Sequence, residues 1–424
     1  MTSAQRVVLI LLVVSLIAGF ATGSSFYYRL VYLWVFLFVG SWAMSRLALR
    51  GVSFTRTARS LRSQVGQIFE ERFEVTNSSR YPRIWLEVRD ETSLPGSRGS
   101  QVLSLVGVYE SRTYLVRTRL LKRGVFPLGR TVIASGDLFG MFPVTQAFSA
   151  QDSLLVYPMI FDVQAFPSPL GWLSGGEALR RRTHQITPNA SGVREYAPGD
   201  PLSRIHWLST ARRNSLIVKE FELDHMAEVW IFLDSSRYPH ITVPEEPVQL
   251  DERDMWRPAV TIPLPASTEE YGVSVAASLA RYYLQRGRDV GFVSAGRAFS
   301  VLPAERGGRQ MGKILEALAL IRAEGKLPIR GLVEAEVKNL PRGSTVVIIT
   351  PASDDNVLVS VELLTRRGMR PVVVLLNSAS FGGPQGSENL AESLALVNTP
   401  VCLVSKDDDI SSTLSEASRY RVWG

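Results

Sequence analysis

One cysteine stands in 424 residues, Cys402, inside the apolar run Pro400 to Val404. An intrachain disulfide and a thiol-rich metal site are thereby excluded, and a reducing compartment fits. Histidine is nearly as scarce. His184, His206, His225 and His240 show no spacing of the His-x-x-x-His kind that a zinc site uses. There is no phosphate loop ending in Gly-Lys-Ser/Thr and no Gly-x-Ser-x-Gly elbow. Asp200, His206 and Ser209 lie near one another in sequence, which chance proximity in a charged segment explains better than a catalytic triad does. The first 62 residues contain no acid and no lysine but seven arginines (6, 29, 46, 50, 56, 59, 62). The formal charge of +7 is therefore local, because residues 63 to 424 hold 40 basic and 40 acidic residues. A neutral body argues against nucleic-acid binding, which wants a basic face on the folded part.

The same N-terminal arm holds two long apolar runs, Val7 to Phe20 and Leu30 to Met44, separated by a short turn at Ala21 to Ser25. Flanking Gly, Ser and aromatic residues extend both toward the roughly 20 residues that a span requires. The expectation is a helical hairpin crossing the lipid bilayer twice, over residues 1–50. A second run directly after the first argues against a cleaved signal peptide. Arg46, Arg50, Arg56, Arg59 and Arg62 follow the second run, and basic residues near a span stay on the cytoplasmic side. Both termini and all the folded mass are thus expected in the cytosol.

Residues 51–165 read as an all-β unit. Phe69 to Asn77 and Ile84 to Asp90 alternate apolar and polar residues, and Tyr109 to Leu121 and Thr131 to Ala134 continue the pattern. Turn signals at Asn77-Ser-Ser, Pro95-Gly and Lys122-Arg-Gly separate them. Short strands without a clear helix predict a β-sandwich of immunoglobulin-like size. From 229 to 424, apolar runs at 229–234, 289–294, 298–302, 345–350, 371–376 and 400–404 alternate with helical segments at 269–286, 309–324, 356–367, 388–396 and 409–418. Continuous apolar strands belong to a doubly wound parallel sheet with helices on both faces. A proline-rich insertion, Pro239 to Pro265, follows the first of these strands as a surface loop.

In a doubly wound sheet, ligands sit at the carboxyl ends of the strands. Asp234 ends the first strand and is followed by Ser235 and Ser236, oxygen donors of the kind magnesium prefers. This Asp-x-Ser resembles the start of the von Willebrand factor A metal site, Asp-x-Ser-x-Ser. The resemblance implies Asp234 and Ser236 as ligands with Thr268 supplying a further hydroxyl. Tyr238 replaces the last serine, and Pro351 stands where the family's later aspartate is expected. The plainer reading makes Asp234 and Ser236 caps of a turn or of the next helix.

The densest charged stretch is Gly192 to Glu222, which runs GVREYAPGDPLSRIHWLSTARRNSLIVKEFE and links the two folded units over residues 166–228. Gly192, Arg194, Glu195, Tyr196, Gly199, Asp200, Arg204, Ile205, Trp207, Thr210, Ala211 and Arg212, then Leu216, Val218 and Lys219, resemble the signature of the bacterial family called domain of unknown function 58. Asp137-Leu-Phe-Gly-Met-Phe resembles that family's Asp-Pro-Phe-Gly-Leu-Phe turn, with Leu138 in place of proline. The resemblance implies a membrane-anchored scaffold that acts with a MoxR-type AAA+ ATPase in assembly or maturation of other proteins, and not an enzyme. The signature segment has two readings. In one, its ion pairs lock the two folded units together, with Trp207 filling the core between them. In the other, its arginines face outward and grip an acidic partner. The alternative function is a hydrolase or metal-dependent ligand-binding protein using the cleft near Asp234 and Arg194.

Overall fold

The computed structural model describes residues 2–149, 152–167, 190–197, 205–221, 228–244 and 262–416. It begins with two antiparallel helices, α1 (Ser3–Thr22) and α2 (Ser25–Ala48). Thr2 and Gln5 form a capping box at the start of α1, and Gly23, at φ +66°, ends it. Ser24 then caps α2. Both helices are long and apolar enough to cross a membrane, and little of either is buried inside the protein. Helices that are apolar all round and uncovered need an apolar medium.

The next region is almost entirely strand. Its elements are β1 (Val52–Ala58), β2 (Arg62–Gln64), β3 (Ile68–Asn77), β4 (Arg83–Asp90), β5 (Gln101–Val106), β6 (Ser111–Arg119), β7 (Gly124–Pro127), β8 (Arg130–Ser135), β9 (Val144–Ser149) and β10 (Ser153–Tyr157). They form sheets ordered β1-β3-β6, β5-β4-β8-β9 and β2-β10-β7. Phe73 and Val75 of β3, Leu86 and Val88 of β4, Val116 of β6 and Ile133 of β8 fill one core shared by the first two sheets. Each fully buried side chain of this size contributes about 1.5–3 kcal/mol. The alternation that points Phe73 inward does the same to Glu71, whose side chain is fully buried. Arg56 answers it with two contacts, Nε to Oε1 at 2.6 Å and Nη2 to Oε2 at 2.9 Å, and reaches Asp90 at 3.0 Å. Burial pushes the Glu71 carboxyl up, and Arg56 pulls it partly back. Arg56 is thus consumed inside the β region and does not act as a free charge beside the apolar helices.

Past β10 the chain carries a hairpin, β11 (Ala190–Glu195), α3 (Trp207–Arg213) and β12 (Ile217–Phe221), and then the α/β unit. Its elements are β13 (Val229–Leu233), α4 (Thr268–Gln285), β14 (Val290–Ala295), β15 (Phe299–Glu305), α5 (Gly308–Leu320), α6 (Ile329–Glu336), β16 (Thr345–Thr350), α7 (Asp355–Arg366), β17 (Arg370–Leu376), α8 (Ser387–Leu396), β18 (Val401–Val404) and α9 (Ile410–Glu416). The six strands run in the order β15-β14-β13-β16-β17-β18. All pairs are parallel except β14 with β15. Residues alternate between the two faces. Val229, Ile231 and Leu233 meet α4, α5 and α9, whereas Trp230 and Phe232 meet α6, α7 and α8. This explains the continuous apolar runs, since a strand covered on both sides has no polar face. Helix α6 was not expected, because Gly331 and two acids interrupt its short apolar pattern.

The β region and the α/β unit are directly joined. The last strand, β10, ends at Tyr157, before the expected boundary at 165. Val163 and Phe166 are already part of the α/β core. Phe161 N donates to Ser278 Oγ at 2.8 Å and Phe166 N to Tyr282 Oη at 3.0 Å, so this stretch runs along α4. The turn before β7 contributes Arg123, whose side chain is fully buried between Leu318 O, Ile321 O, Glu269 and Glu270.

Candidate functional site

The order of the parallel strands reverses between β13 and β16, and at such a switch point the carboxyl ends of the strands open a crevice. Asp234, one residue past β13, lies there and is 2% exposed. Its backbone N–H donates to Ile349 O at 2.9 Å, holding it against β16. Its Oδ1 accepts from Ser236 N at 2.9 Å and Ser236 Oγ at 2.5 Å, and Oδ2 accepts from Thr350 Oγ1 at 2.7 Å. Both carboxylate oxygens are therefore engaged, each by a hydroxyl. Ser235 turns the other way, 2.7 Å from Ser294 Oγ, and its carbonyl accepts from Gly325 N.

Thr268, at the start of α4, is fully buried. Its hydroxyl accepts from Ile241 N at 2.9 Å and lies 3.1 Å from His240 Nδ1. His240 Nε2 lies 3.0 Å from the Asp234 carbonyl oxygen. A carbonyl only accepts, so Nε2 donates to it, while the Thr268 hydroxyl also lies 3.3 Å from Ile241 O, to which it donates. His240 thus ties the β13 end to α4, a role no spacing in the sequence signals. Because it meets the Asp234 main chain and not the carboxylate, no Ser–His–acid relay forms here.

The crevice has a volume of about 500 Å³ and is lined by Asp234, Tyr238, Lys326, Pro351, Asn356 and Ser378 among others. Tyr238 is 89% exposed at its mouth. Asp354 precedes the first residue of α7 and accepts from Asn356 Nδ2 at 2.7 Å, and the Pro351 carbonyl accepts from Ser378 Oγ at 2.7 Å. As a cation site, this set offers the Asp234 carboxylate with both oxygens in use, the Asp354 carboxylate bonded to Asn356, three engaged hydroxyls, and a lysine ammonium in the same crevice. These residues fit a resident divalent ion poorly. They fit a polar brace that closes the sheet end.

The charged signature segment forms the separate hairpin. Strand β11 pairs antiparallel with β12, placing Arg194 opposite Val218 and Glu195 opposite Ile217. His206 caps α3. Its Nδ1 accepts from Ser209 N at 3.3 Å and lies 2.7 Å from Ser209 Oγ, so the His206–Ser209 pair is a helix cap. Asn214, at φ +53°, ends the helix. Ile205, Ile217 and Val218 are buried beneath it. Trp207, expected as core filling, is instead 67% exposed, and Leu208 is 62% exposed. Trp207 is the first residue of α3, whose seven residues bury no side chain. Arg212 is exposed in the last turn beside Arg213, where it complements the helix dipole. Tyr196 N donates to Leu216 O at 2.8 Å, and Glu195 is exposed. Arg194 and Lys219 are described only as backbone in β11 and β12. Gly199, Asp200 and Arg204 lie outside the described residues, as does most of the proline-rich insertion. Asp234 and Ser236 therefore come together in the crevice, with Thr268 linked to them through His240. The described signature residues lie on the hairpin.

The whole defines a class of protein: two apolar N-terminal helices, a β-rich region seated on them, and an α/β unit with a polar-braced crevice. The chain matches the model of the family described as Protein of unknown function DUF58 over residues 192–242. It is also similar to the uncharacterized protein YeaD of Bacillus subtilis (strain 168), 24% identical over 248 residues, 57% of this chain and 54% of that protein. The chain thus spans about half the length of this curated relative. Among solved structures, a CARDB domain from Pyrococcus furiosus is 13% identical with a TM-score of 0.18, covering 25% of this chain and 91% of that one. A GH20 exo beta-N-acetylglucosaminidase from Vibrio harveyi is 9% identical with a TM-score of 0.17, covering 77% and 57%. Likeness at that level carries no argument about fold or activity.

Proposed function

We propose that this protein is a membrane-anchored, cytosol-facing interaction protein, and that the exposed face of α3 is where it takes a partner. The observation that supports this is the placement of Trp207 and Leu208 in solvent beside Arg212 and Arg213, inside the segment that matches the family. Exposed Trp and Arg together are the residue types that dominate protein interfaces. In this reading the partner presents an acidic, partly apolar surface. The MoxR-type AAA+ ATPase that the family resemblance implies is the proposed one, with assembly or maturation of other proteins as the shared task. Exposed Arg46 in the last turn of α2, and exposed Arg50 and Arg59 after it, support the cytosolic placement. The strand order, with one antiparallel edge, supports a von Willebrand factor A-like α/β unit, and the two facing sheets support an immunoglobulin-like β unit.

The test is affinity capture of the full chain from native membranes, with wild type beside a Trp207→Ala, Arg212→Glu variant. The variant is expected to melt like wild type and to lose the ATPase. A normally folded variant that still captures it overturns the reading. A second reading rests on the crevice itself, where Asp234 and Lys326 line about 500 Å³ at the switch point. Here a small polar ligand binds, or a hydrolase acts. Turnover or ligand binding by the purified chain, abolished by Asp234→Asn, is the result that favours it.

A further inference from the structure

The pole of the β region from which α2 emerges carries an unusual surface. Thr2 Oγ1 donates to Met141 O at 3.0 Å and Ser45 Oγ to Phe142 O at 2.7 Å, so the turn between β8 and β9 is bonded to the near ends of both apolar helices. Arg83, 4% exposed, donates to the carbonyls of Leu47 and Arg50 and fastens the end of α2 to β4. The turn itself is rigid. Asp137 accepts from Phe139 N at 3.0 Å, Met141 N at 3.2 Å and Phe142 N at 2.6 Å. Yet its tip points Leu138 and Phe139 into the open, 60% and 59% exposed.

The turn also reaches along the helix. The Phe142 ring is 5.1 Å from that of Phe38, edge to face. Phe38 lies seven residues before Ser45, about 10 Å deeper along α2 at 1.5 Å per residue. Two more loops end at this pole, as the pairings Thr76 with Ser111, Arg83 with Val106 and Ser135 with Val144 require. They expose Tyr81 at 60% and Tyr109 at 65%, and Leu105 near the end of β5 is 62% exposed. Leu105 and Tyr109 hold φ of +50° and +55°, a costly backbone state for such residues. Exposed Arg50 and Arg80 stand among them, and Arg46 lies over the Trp42 ring at 5.4 Å. Of the nearby acids, Asp137 is spent on the turn, and Glu110 is held by Gly107 N and Arg112.

We infer that this pole dips into the bilayer interface, with Leu138 and Phe139 as its deepest point and Tyr81 and Tyr109 at the headgroups. The inference rests on the reading that α1 and α2 span the membrane. The occupant is lipid because the surface continues from the helices themselves. Exposed apolar tips with Tyr, Trp and Arg around them match the chemistry of an interface, where rings sit at headgroup level and cations meet phosphate. The β region would then be fixed in height and tilt, and would present α3 and the crevice to the cytosol at a set distance.

The experiment uses the full chain with Cys402→Ser, reconstituted in phosphatidylcholine–phosphatidylglycerol vesicles. Nitroxides are placed singly at Phe139→Cys, Tyr109→Cys, Phe36→Cys on α2 and Glu388→Cys on α8, and accessibility to oxygen and to a water-soluble nickel chelate is compared. At 139 the oxygen-to-nickel ratio is expected to rise at least severalfold above that at 388, toward the value at 36, with 109 between. A water-like ratio at 139 beside a lipid-like one at 36 overturns the inference alone. A water-like ratio at 36 removes the spanning reading and the inference with it. Shielding of 139 from both reagents shows contact between protein copies and also overturns it.

Discussion

Arg123 and Glu269 are 146 residues apart in the chain and 2.6 Å apart in space, and the guanidinium between them is completely sheltered from solvent. Glu270 flanks the same group, and the carbonyls of Leu318 and Ile321 accept from it at 3.1 and 2.9 Å. Glu269 also accepts from Ala323 N at 3.1 Å, so one carboxylate joins the β region, α4 and the end of α5. Both acids sit in the first turn of α4, where the helix dipole favours negative charge.

A buried charge left alone is the costly state, so Arg123→Ala is expected to cost about 3–5 kcal/mol. Chemical unfolding of the full chain in detergent should show this as a lower midpoint or a split transition. Adding Glu269→Gln and Glu270→Gln should recover part of the loss. An exposed pair such as Arg62 with Glu316, 65% and 39% exposed, should contribute no more than about 1 kcal/mol.

Asp234→Ala leaves the Ser236 amide and the hydroxyls of Ser236 and Thr350 buried without their acceptor. About 1–3 kcal/mol should be lost for such unsatisfied groups. Asp234→Asn retains one acceptor oxygen and should lose less. Hydrogen exchange at the Ser236 amide separates the two, rising strongly in the alanine variant only.

Gly325→Ala tests the far wall of the same site. A Cβ there would stand 1.9 Å from Ala295 O and 2.9 Å from Ser235 O, both main-chain atoms. The Ser235–Gly325–Arg237 hydrogen bonds would have to break. We expect about 1–3 kcal/mol of destabilisation by overpacking, read as a lower melting temperature.

Burial pushes the Cys402 thiol up to about 12, with Asp408 adding to it, and the sulfur donates to Thr413 O at 3.6 Å. The folded chain should resist a thiol reagent at pH 8 and react once unfolded. The sign follows from linkage. Above the ordinary thiol value near 9 the unfolded chain releases this proton while the folded chain keeps it. The contribution is therefore lost progressively as pH rises from 9 to about 12. Cys402→Ala should flatten that decline.

Much of the architecture was legible because its signals are local. The runs Val229–Leu233, Thr345–Thr350 and Pro371–Leu376 are apolar at every position, which only a strand covered on both faces tolerates. The spacing of Val273, Ala276, Ala280 and Tyr283 made α4 equally plain. The polar anchors were not legible. Arg123 sits in what reads as a solvent turn, and Arg56 reads as one of several free arginines after the apolar helices. Nothing in one dimension says that a long cation will be buried opposite a carboxylate from a distant strand. Trp207 failed in the opposite sense. A tryptophan amid charges reads as core, but at the first position of a seven-residue helix it has no layer to enter.

Periodicity and apolar length alone determined the two N-terminal helices, the β-rich middle and the doubly wound end, because hydrogen bonding and burial act on neighbours three or four residues apart, or two. Which carboxylate meets which guanidinium was decided only when distant segments closed on one another. So were the seating of the Asp137 turn on the helix ends and the assembly of Asp234, Ser236 and Thr350 at the strand reversal. Those contacts are between groups far apart in sequence, and their strength depends on the exclusion of water that packing brings.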